Sequence, residues 1–212
     1  SLRNYMRERS RIIKDRSRHV CRMQKALIKM NLMLNHVLDD IMGKTGMSII
    51  KAIIDGERDA KKLAALRSGR CKCREEEIAE SLNGYYKEDE LFLLKVNYNA
   101  FCFFDSQLYE IDRKITELLE TFPLKKDREE IAPASKKSKC QKKNKNDIRT
   151  DKSLNDILYR ILGTDLTSVT GLQPNSILQI ISEVGTDMSK FPTCNHFASY
   201  LGFVPHNKIT GG

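Results

Sequence analysis

The sequence predicts a mainly α-helical protein: a long antiparallel coiled-coil hairpin with a helical tip, followed by a small helical domain. Two apolar series, Ile13 to Ile41 and Leu94 to Phe122, recur at steps of three and four residues. This is the heptad spacing of a coiled coil. Charged residues make up 31% of the 212 residues and aromatic residues 7%, which favours long solvated helices.

The sequence predicts two long helices, three short helices between them and three more helices near the C-terminus. The first long helix starts at Leu2 and ends before Gly43, and Arg16 is the one break in its apolar series. Three short helices follow as the tip, over Met47–Ile54, Asp59–Leu66 and Glu75–Leu82. The second long helix runs from Lys87 to Phe122 and stops at Pro123. The remaining predicted helices are Ser153–Leu162, Pro174–Val184 and His196–Leu201, with Gly163, Gly185 and Thr193 as caps. Only Phe203 and Val204 could start a strand.

Composition divides the chain into three parts. Residues 1–122 form the basic helix and coiled-coil domain. Residues 123–150 carry two prolines and a lysine-rich run with almost no large apolar side chain, which predicts a flexible linker. Residues 151–212 form a small helical domain.

Positive charge is concentrated in two segments, although the whole chain carries +9. Residues 1–25 hold nine Lys or Arg against two acids, and residues 123–150 hold ten against four. Such patches indicate an anionic polymer, nucleic acid first and a membrane surface second. The alternatives to nucleic-acid binding are that residues 1–25 form a helix whose cations are simply solvated and that residues 123–150 form a linker whose lysines only keep it soluble. The candidate phosphate-binding residues are Arg11, Arg16, Arg18, Arg22, Lys25, Lys136 and Lys137.

Several motifs fail on their spacing. Gly43-Lys44-Thr45 resembles the end of a phosphate-binding loop, but Leu38 stands where that loop needs a glycine. Cys71 and Cys73 lack a second pair that would complete a zinc site. The four histidines are not clustered, and the six cysteines follow no secretory signal, so we expect reduced thiols and no metal on this chain. No apolar run is long enough for a membrane span.

The segment from Leu166 to Gly185 has the pattern of a helix-hairpin-helix. A glycine turn at Gly171 precedes a helix whose first amides could hold a phosphate without reading sequence. Gln173 replaces the usual second hairpin glycine. A simple packing corner is the alternative interpretation.

Eight segments together resemble the DEDD-type insertion-sequence transposases of the IS-one-ten family, which are bridge-RNA-guided recombinases. The segments are 16–20, 23–27, 56–59, 70–72, 76–79, 181–192, 197–205 and 209–212. The resemblance covers nearly the whole chain apart from the linker, and its C-terminal run is the more specific part.

The resemblance implies a DNA recombinase that acts by phosphoryl transfer, with DNA and a guide RNA as partners. Family members carry an N-terminal RuvC-like domain whose four acids bind a divalent metal such as Mg²⁺, then a coiled coil, then a C-terminal domain with a nucleophilic serine. Thr210 matches that serine here. We expect a bacterial cytoplasmic fragment without the RuvC-like domain, inactive alone and self-associating through its coiled coil. A non-catalytic nucleic-acid-binding or assembly module and a purely structural scaffold are the alternatives.

Overall fold

A computed structural model describes residues 1–127 and 144–202, and this part of the chain is mainly helical without strands. This confirms the predicted fold class. The elements are α1 (Leu2–Lys29), α2 (Leu34–Val37), α3 (Lys44–Ile54), α4 (Ala60–Ala64), α5 (Glu75–Ser81), α6 (Glu88–Glu120), α7 (Leu154–Leu162), a 3-10 turn (Leu166–Ser168), α8 (Pro174–Val184) and α9 (Cys194–Tyr200). None of these helices combines the length and the apolar character that a membrane span needs.

Contacts divide the chain into two compact units. The hairpin unit comprises residues 7–113, and the C-terminal unit comprises residues 1–6 with 114–212. α1 and α6 each contribute residues to both units. The domain boundaries that composition predicts at 122 and 150 remain predictions.

In the hairpin unit, α1 and α6 pack antiparallel through heptad positions. Partner numbers on α6 fall as residue numbers on α1 rise, which fixes the antiparallel direction. The side-chain pairs are Arg9–Asp112, Arg16–Asp105, His19–Asn97 and Lys29–Glu90. Buried apolar residues between these pairs, such as Met23 and Leu94, complete the seam.

The prediction that the first helix continues to residue 41 was wrong. α1 ends at Lys29, because Asn31 adopts a left-handed conformation with φ of 56°. The amide of Leu32 then donates to the carbonyl of Leu27 at 2.9 Å, as in the turn that commonly closes a helix. The apolar series nevertheless continues past Lys29, because Leu34 and Ile41 are buried in the core of the tip and not in the seam between α1 and α6.

The tip packs its short helices closely around that core. α5 contacts α2 and α4, and α3 contacts α4. Two glycines permit the close approach, since a Cβ on Gly46 would lie 2.1 Å from the carbonyl oxygen of Ile41. A Cβ on Gly84 would lie 2.3 Å from that of Met30.

The C-terminal unit is built on α7 and α8, which pack against each other. The predicted roles of Gly163, Pro174 and Gly185 are confirmed: Gly163 closes α7 with φ of 76°, Pro174 opens α8, and Gly185 ends it. Ser153, predicted as the first residue of its helix, is instead the N-cap of α7 and accepts from the amide of Asp156. Both described ends of the predicted linker contact this unit. The amide of Lys125 donates to the carbonyl of Arg160 at 2.9 Å, and Ile148 is buried.

Candidate nucleic-acid interface

The heptad phase of α1 separates its cations into an outer and an inner set. The outer face of α1 lies opposite the seam and carries exposed cations. They are Arg7, Arg11, Lys14, Arg18, Arg22 and Lys25. Arg11 pairs locally with Glu8 at 3.2 Å, and Arg18 pairs with Asp15 at 2.6 Å. Exposed pairs of this kind hold a side chain weakly, so these cations remain available to a stronger anion.

The inner set consists of Arg9 and Arg16, which lie in the seam. Arg9 Nε is 2.5 Å from Asp112 Oδ1, and Asp112 is fully buried. Arg16 is 8% exposed, lies 2.5 Å from Asp105 Oδ1 and places its guanidinium over the ring of Phe101. This position speaks against the phosphate contact that sequence reasoning assigned to Arg16, because the guanidinium is committed to the seam.

Sequence reasoning missed Arg9 and both aspartates as seam residues. The signal was present in the spacing: Arg9 and Arg16 are seven residues apart, and so are Asp105 and Asp112. One heptad carries equivalent positions onto the same face of a helix. Two matched pairs of opposite charge at that spacing indicate ion pairs across an antiparallel seam.

His19 lies between the two helices, outside any cluster of metal ligands. Its ring stacks on Phe104 with centroids 5.5 Å apart, and its Nδ1 lies 2.9 Å from the amide oxygen of Asn97. Within the described ranges no group of three His, Cys, Asp or Glu side chains is placed to hold a metal ion. Cys73 lies in the tip, where desolvation and the neighbouring Cys71 raise the pKa of its thiol, which donates to the carbonyl of Val37.

The hairpin around Gly171 differs from the predicted pattern in its first half. The segment before the glycine is only a three-residue 3-10 turn, Leu166–Ser168, capped by the side chain of Asp165. Gly171 itself has φ of 93°, a conformation that favours glycine, and it is exposed. Gln173 precedes α8 without a side-chain cap. The turn is therefore tight and accessible, but a single helix follows it rather than two helices of equal length flanking it.

An aromatic cluster joins the segment after α8 to α9. Phe191 packs edge-on against Phe197 and Tyr200, with ring centroids 5.2 and 5.4 Å apart. Thr193 caps α9, as predicted, by accepting from the amide of His196. Upstream in this segment, the hydroxyl and amide of Ser189 bind Asp187 and lower the pKa of its carboxyl. These contacts give residues 187–200 a defined conformation.

Several predicted site residues lie outside the described residues. Lys136 and Lys137 fall between 127 and 144, and Thr210 falls after 202, as do Phe203 and Val204 of the possible strand.

The C-terminal segment is similar in sequence to a family of transposases. Residues 163–212 match the family model described as transposase, IS116/IS110/IS902 family. The match begins at the glycine that closes α7 and includes the Gly171 turn, α8 and the aromatic cluster. It confirms the family resemblance for this quarter of the chain. Neither the curated proteins nor the solved structures contain a match to the chain.

Proposed function

We propose that this chain is part of an insertion-sequence DNA transposase and that its hairpin unit binds nucleic-acid backbones through the outer face of α1. The proposal rests on the direction in which the cations of α1 point. The exposed cations occupy the side of α1 opposite the seam, while Arg9 and Arg16 are neutralised inside it. The family match at residues 163–212 supports the transposase role independently.

The spacing of these cations suits a phosphate backbone. Arg11 and Lys25 are fourteen residues apart, which corresponds to about 21 Å along a helix. Six base pairs of duplex rise by a similar length, at about 3.4 Å each. Lys14, Arg22 and Lys25 make no ion pair among the described residues, so they can bind phosphates without breaking an existing contact.

Such a face binds by charge and reads little sequence. Each phosphate that it neutralises releases condensed counterions, which supplies binding free energy and makes the affinity depend on salt. Arg side chains can contact backbone oxygens on DNA and RNA alike. DNA and a guide RNA, the partners that the resemblance implies, would therefore both be ligands of this face. The Gly171 turn and the lysines at 136 and 137 are proposed as secondary backbone contacts.

For the complete transposase we propose phosphoryl transfer with the hydroxyl of Thr210 as nucleophile. Its oxygen would attack a DNA phosphorus, forming a phosphorus–oxygen bond to threonine while the bond from phosphorus to a DNA oxygen breaks, and the threonine proton would pass to that oxygen, which leaves as a hydroxyl. The Mg²⁺ that the resemblance implies belongs to a RuvC-like domain, and no described cluster of this chain fits it. The covalent DNA adduct in the full-length enzyme should persist in Thr210→Ser and disappear in Thr210→Ala. Persistence in Thr210→Ala would remove Thr210 from this role.

The binding proposal is tested by salt-dependent fluorescence anisotropy with a duplex DNA and an RNA hairpin. The test variant replaces Arg11, Lys14, Arg18 and Arg22 with Gln. The control variant replaces Lys51, Lys61, Lys62 and Lys87, four exposed cations of the tip region, and so loses the same charge. The slope of log affinity against log salt should fall by about 0.9 for each lost duplex contact in the test variant alone.

Equal slopes in both variants would place the interface elsewhere on the chain. Binding that does not depend on salt in the native chain would favour the scaffold alternative, because a scaffold does not depend on counterion release. Intact binding without any adduct in the full-length protein would favour the non-catalytic assembly module.

A further inference from the structure

The ring of Tyr200 is exposed on the C-terminal unit, yet two contacts fix its position. The residue is 56% exposed. Its hydroxyl donates to the carbonyl of Glu183 at 3.3 Å, and the ring of Phe191 packs against it edge-on. A single exposed tyrosine is ordinary on a protein surface. A tyrosine that is already ordered, however, loses little conformational entropy when a ligand packs on its open face.

The aromatic cluster supports this ring from within the protein. Phe191 also packs edge-on against Phe197, and both residues are half-buried. The amide of Phe191 donates to the carbonyl of Met188 at 3.1 Å, and Met188 is 49% exposed. Tyr200 and Met188 therefore present apolar surface to solvent over a layer of packed rings. Aromatic surface held in this way is a platform on which another flat ring can stack.

Cations lie next to the aromatic cluster. The guanidinium of Arg3 donates to the same carbonyl of Glu183 that Tyr200 binds, so it lies beside the phenol hydroxyl. It also pairs with the Glu183 carboxylate at 3.1 Å, but the Arg3 side chain is 42% exposed and a guanidinium has five N–H donors. Lys190 is exposed in the segment before α9, and the nearby carboxylate of Asp187 already accepts two hydrogen bonds from within its own turn. Arg3 and Lys190 can therefore both contact an anion beside the ring.

We propose that the open face of Tyr200 stacks on an unpaired nucleobase, while Arg3 and Lys190 contact the phosphates next to it. Aromatic rings that stack on bases, beside cations that follow the backbone, are typical of sites for single-stranded nucleic acid. A base within a duplex does not fit, because its neighbours cover both of its faces. The choice of nucleic acid as the ligand rests on the proposed function. This surface binds a base, whereas the outer face of α1 binds phosphates alone.

Stacking on Tyr200 selects the state of the strand and not its sequence. Every base has a flat π face, and stacking of one base on an aromatic side chain changes the affinity about five- to a hundredfold. Single strands of DNA and of RNA should therefore both bind, and a duplex without unpaired bases should gain nothing from the ring.

The chain contains no tryptophan, so a single one reports directly on this surface. In Tyr200→Trp, a single-stranded oligothymidylate or oligouridylate of about 12 nucleotides, within the length that single-strand sites cover, should quench the indole fluorescence by stacking on it. Tyr85→Trp is the control, because Tyr85 is 75% exposed and lies in the hairpin unit, and its fluorescence should not change. An unquenched Tyr200→Trp variant, whether or not the oligonucleotide binds, would overturn the proposal.

Fluorescence anisotropy with the same strands, labelled, measures what the ring contributes to affinity. Tyr200→Ala should bind about five- to a hundredfold more weakly with unchanged helicity, and Tyr85→Ala should bind like the native chain. Tyr200→Phe keeps the ring and should retain most of the affinity, whereas Tyr200→Leu keeps apolar bulk without a π face and should resemble Tyr200→Ala. Native affinity in Tyr200→Leu would refute stacking and would indicate an ordinary apolar contact, of the kind that a protein partner makes.

Salt and duplex controls separate this surface from the outer face of α1. Stacking releases no counterion, so Tyr200→Ala should leave the slope of log affinity against log salt unchanged, while Lys190→Gln should lower it by about 0.7 on a single strand. An equal loss of affinity for Tyr200→Ala on a duplex and on a single strand would refute base stacking. Failure of the two proposals is distinguishable: an α1 face that does not bind leaves the quenching in Tyr200→Trp intact, and a ring that does not stack leaves the α1 salt slope intact.

Discussion

Removal of the buried carboxylate at Asp112 should be among the most destabilising single changes in the hairpin unit. Asp112 has no exposed surface, and the Arg9 side chain facing it is only 7% exposed. In Asp112→Ala the guanidinium keeps its position in the seam but loses the carboxylate 2.5 Å away. The buried guanidinium then lacks the carboxylate that faces it in the seam, in a medium of low polarity.

The magnitude follows from burial. Breaking a buried ion pair by removing one partner costs about 3–5 kcal/mol, and we expect Asp112→Ala to fall in this range. The second pair supplies an internal comparison with the same chemistry. The side chain of Asp105 is 35% exposed, so water can hydrate Arg16 after Asp105→Ala, and we expect about 1–2 kcal/mol there.

The assay is urea unfolding followed by circular dichroism at 222 nm. A third variant, Arg9→Leu with Asp112→Leu, removes both charges and fills the site with apolar volume. It should be close to the wild type or more stable, because the desolvation of two ions is removed together with their attraction. A loss below about 1 kcal/mol in Asp112→Ala, or a Leu–Leu variant less stable than Asp112→Ala, would refute the buried pair.

Three further changes test the tip and its junction with α1. Gly84→Ala should cost about 1–3 kcal/mol of unfolding free energy, because its Cβ would lie 2.3 Å from the carbonyl oxygen of Met30. Gly69→Ala is the control: a Cβ there would have nothing within 4 Å, so the unfolding free energy in urea should not change. Asn31→Ala should lower the melting temperature by an amount equivalent to about 1 kcal/mol, whereas Asn31→Gly should be tolerated, because glycine adopts a φ of 56° without strain and alanine does not. Equal melting temperatures for the two variants would contradict the left-handed turn that ends α1 at this position. Hydrogen bonds from the amides of Asp59 and Arg58 lower the pKa of Glu57. This carboxylate therefore stabilises the fold above its unfolded pKa, near 4.3, and the stabilisation is lost as the pH falls through its folded pKa. Glu57→Gln should reduce the fall in melting temperature between pH 5 and pH 3.

Local signals predicted the C-terminal helices well. Ser153, Gly163, Pro174 and Thr193 act through their own backbone or through amides within three residues, so their roles are written in short stretches of sequence. The 3-10 turn before Gly171 was missed because Leu166–Ser168 carries no spacing that distinguishes one turn from a short helix.

The end of α1 could not be located in the same way. The apolar residues from Val20 to Ile41 keep their spacing through the turn at Asn31, because the tip needs apolar residues as much as the seam does. Hydrophobic periodicity reports which residues are buried, and it does not report whether one helix or two elements bury them. Asn31 was the local signal, since asparagine tolerates the left-handed conformation better than most residues.

Charge counting and heptad phase give different pictures of residues 1–25, and the structure shows why both are needed. The count gives nine cations, but it does not say which side of the helix each cation faces. The phase assigns Arg9 and Arg16 to the seam, where Asp112 and Asp105 neutralise them, and assigns Arg11, Lys14, Arg18, Arg22 and Lys25 to solvent. Burial thus removes two cations from the interface but fixes the helix in one rotational setting. The six exposed cations of the outer face, which include Arg7, lie on one side for this reason, whereas Arg3 pairs with Glu183. A one-sided array is what a continuous line of phosphates requires.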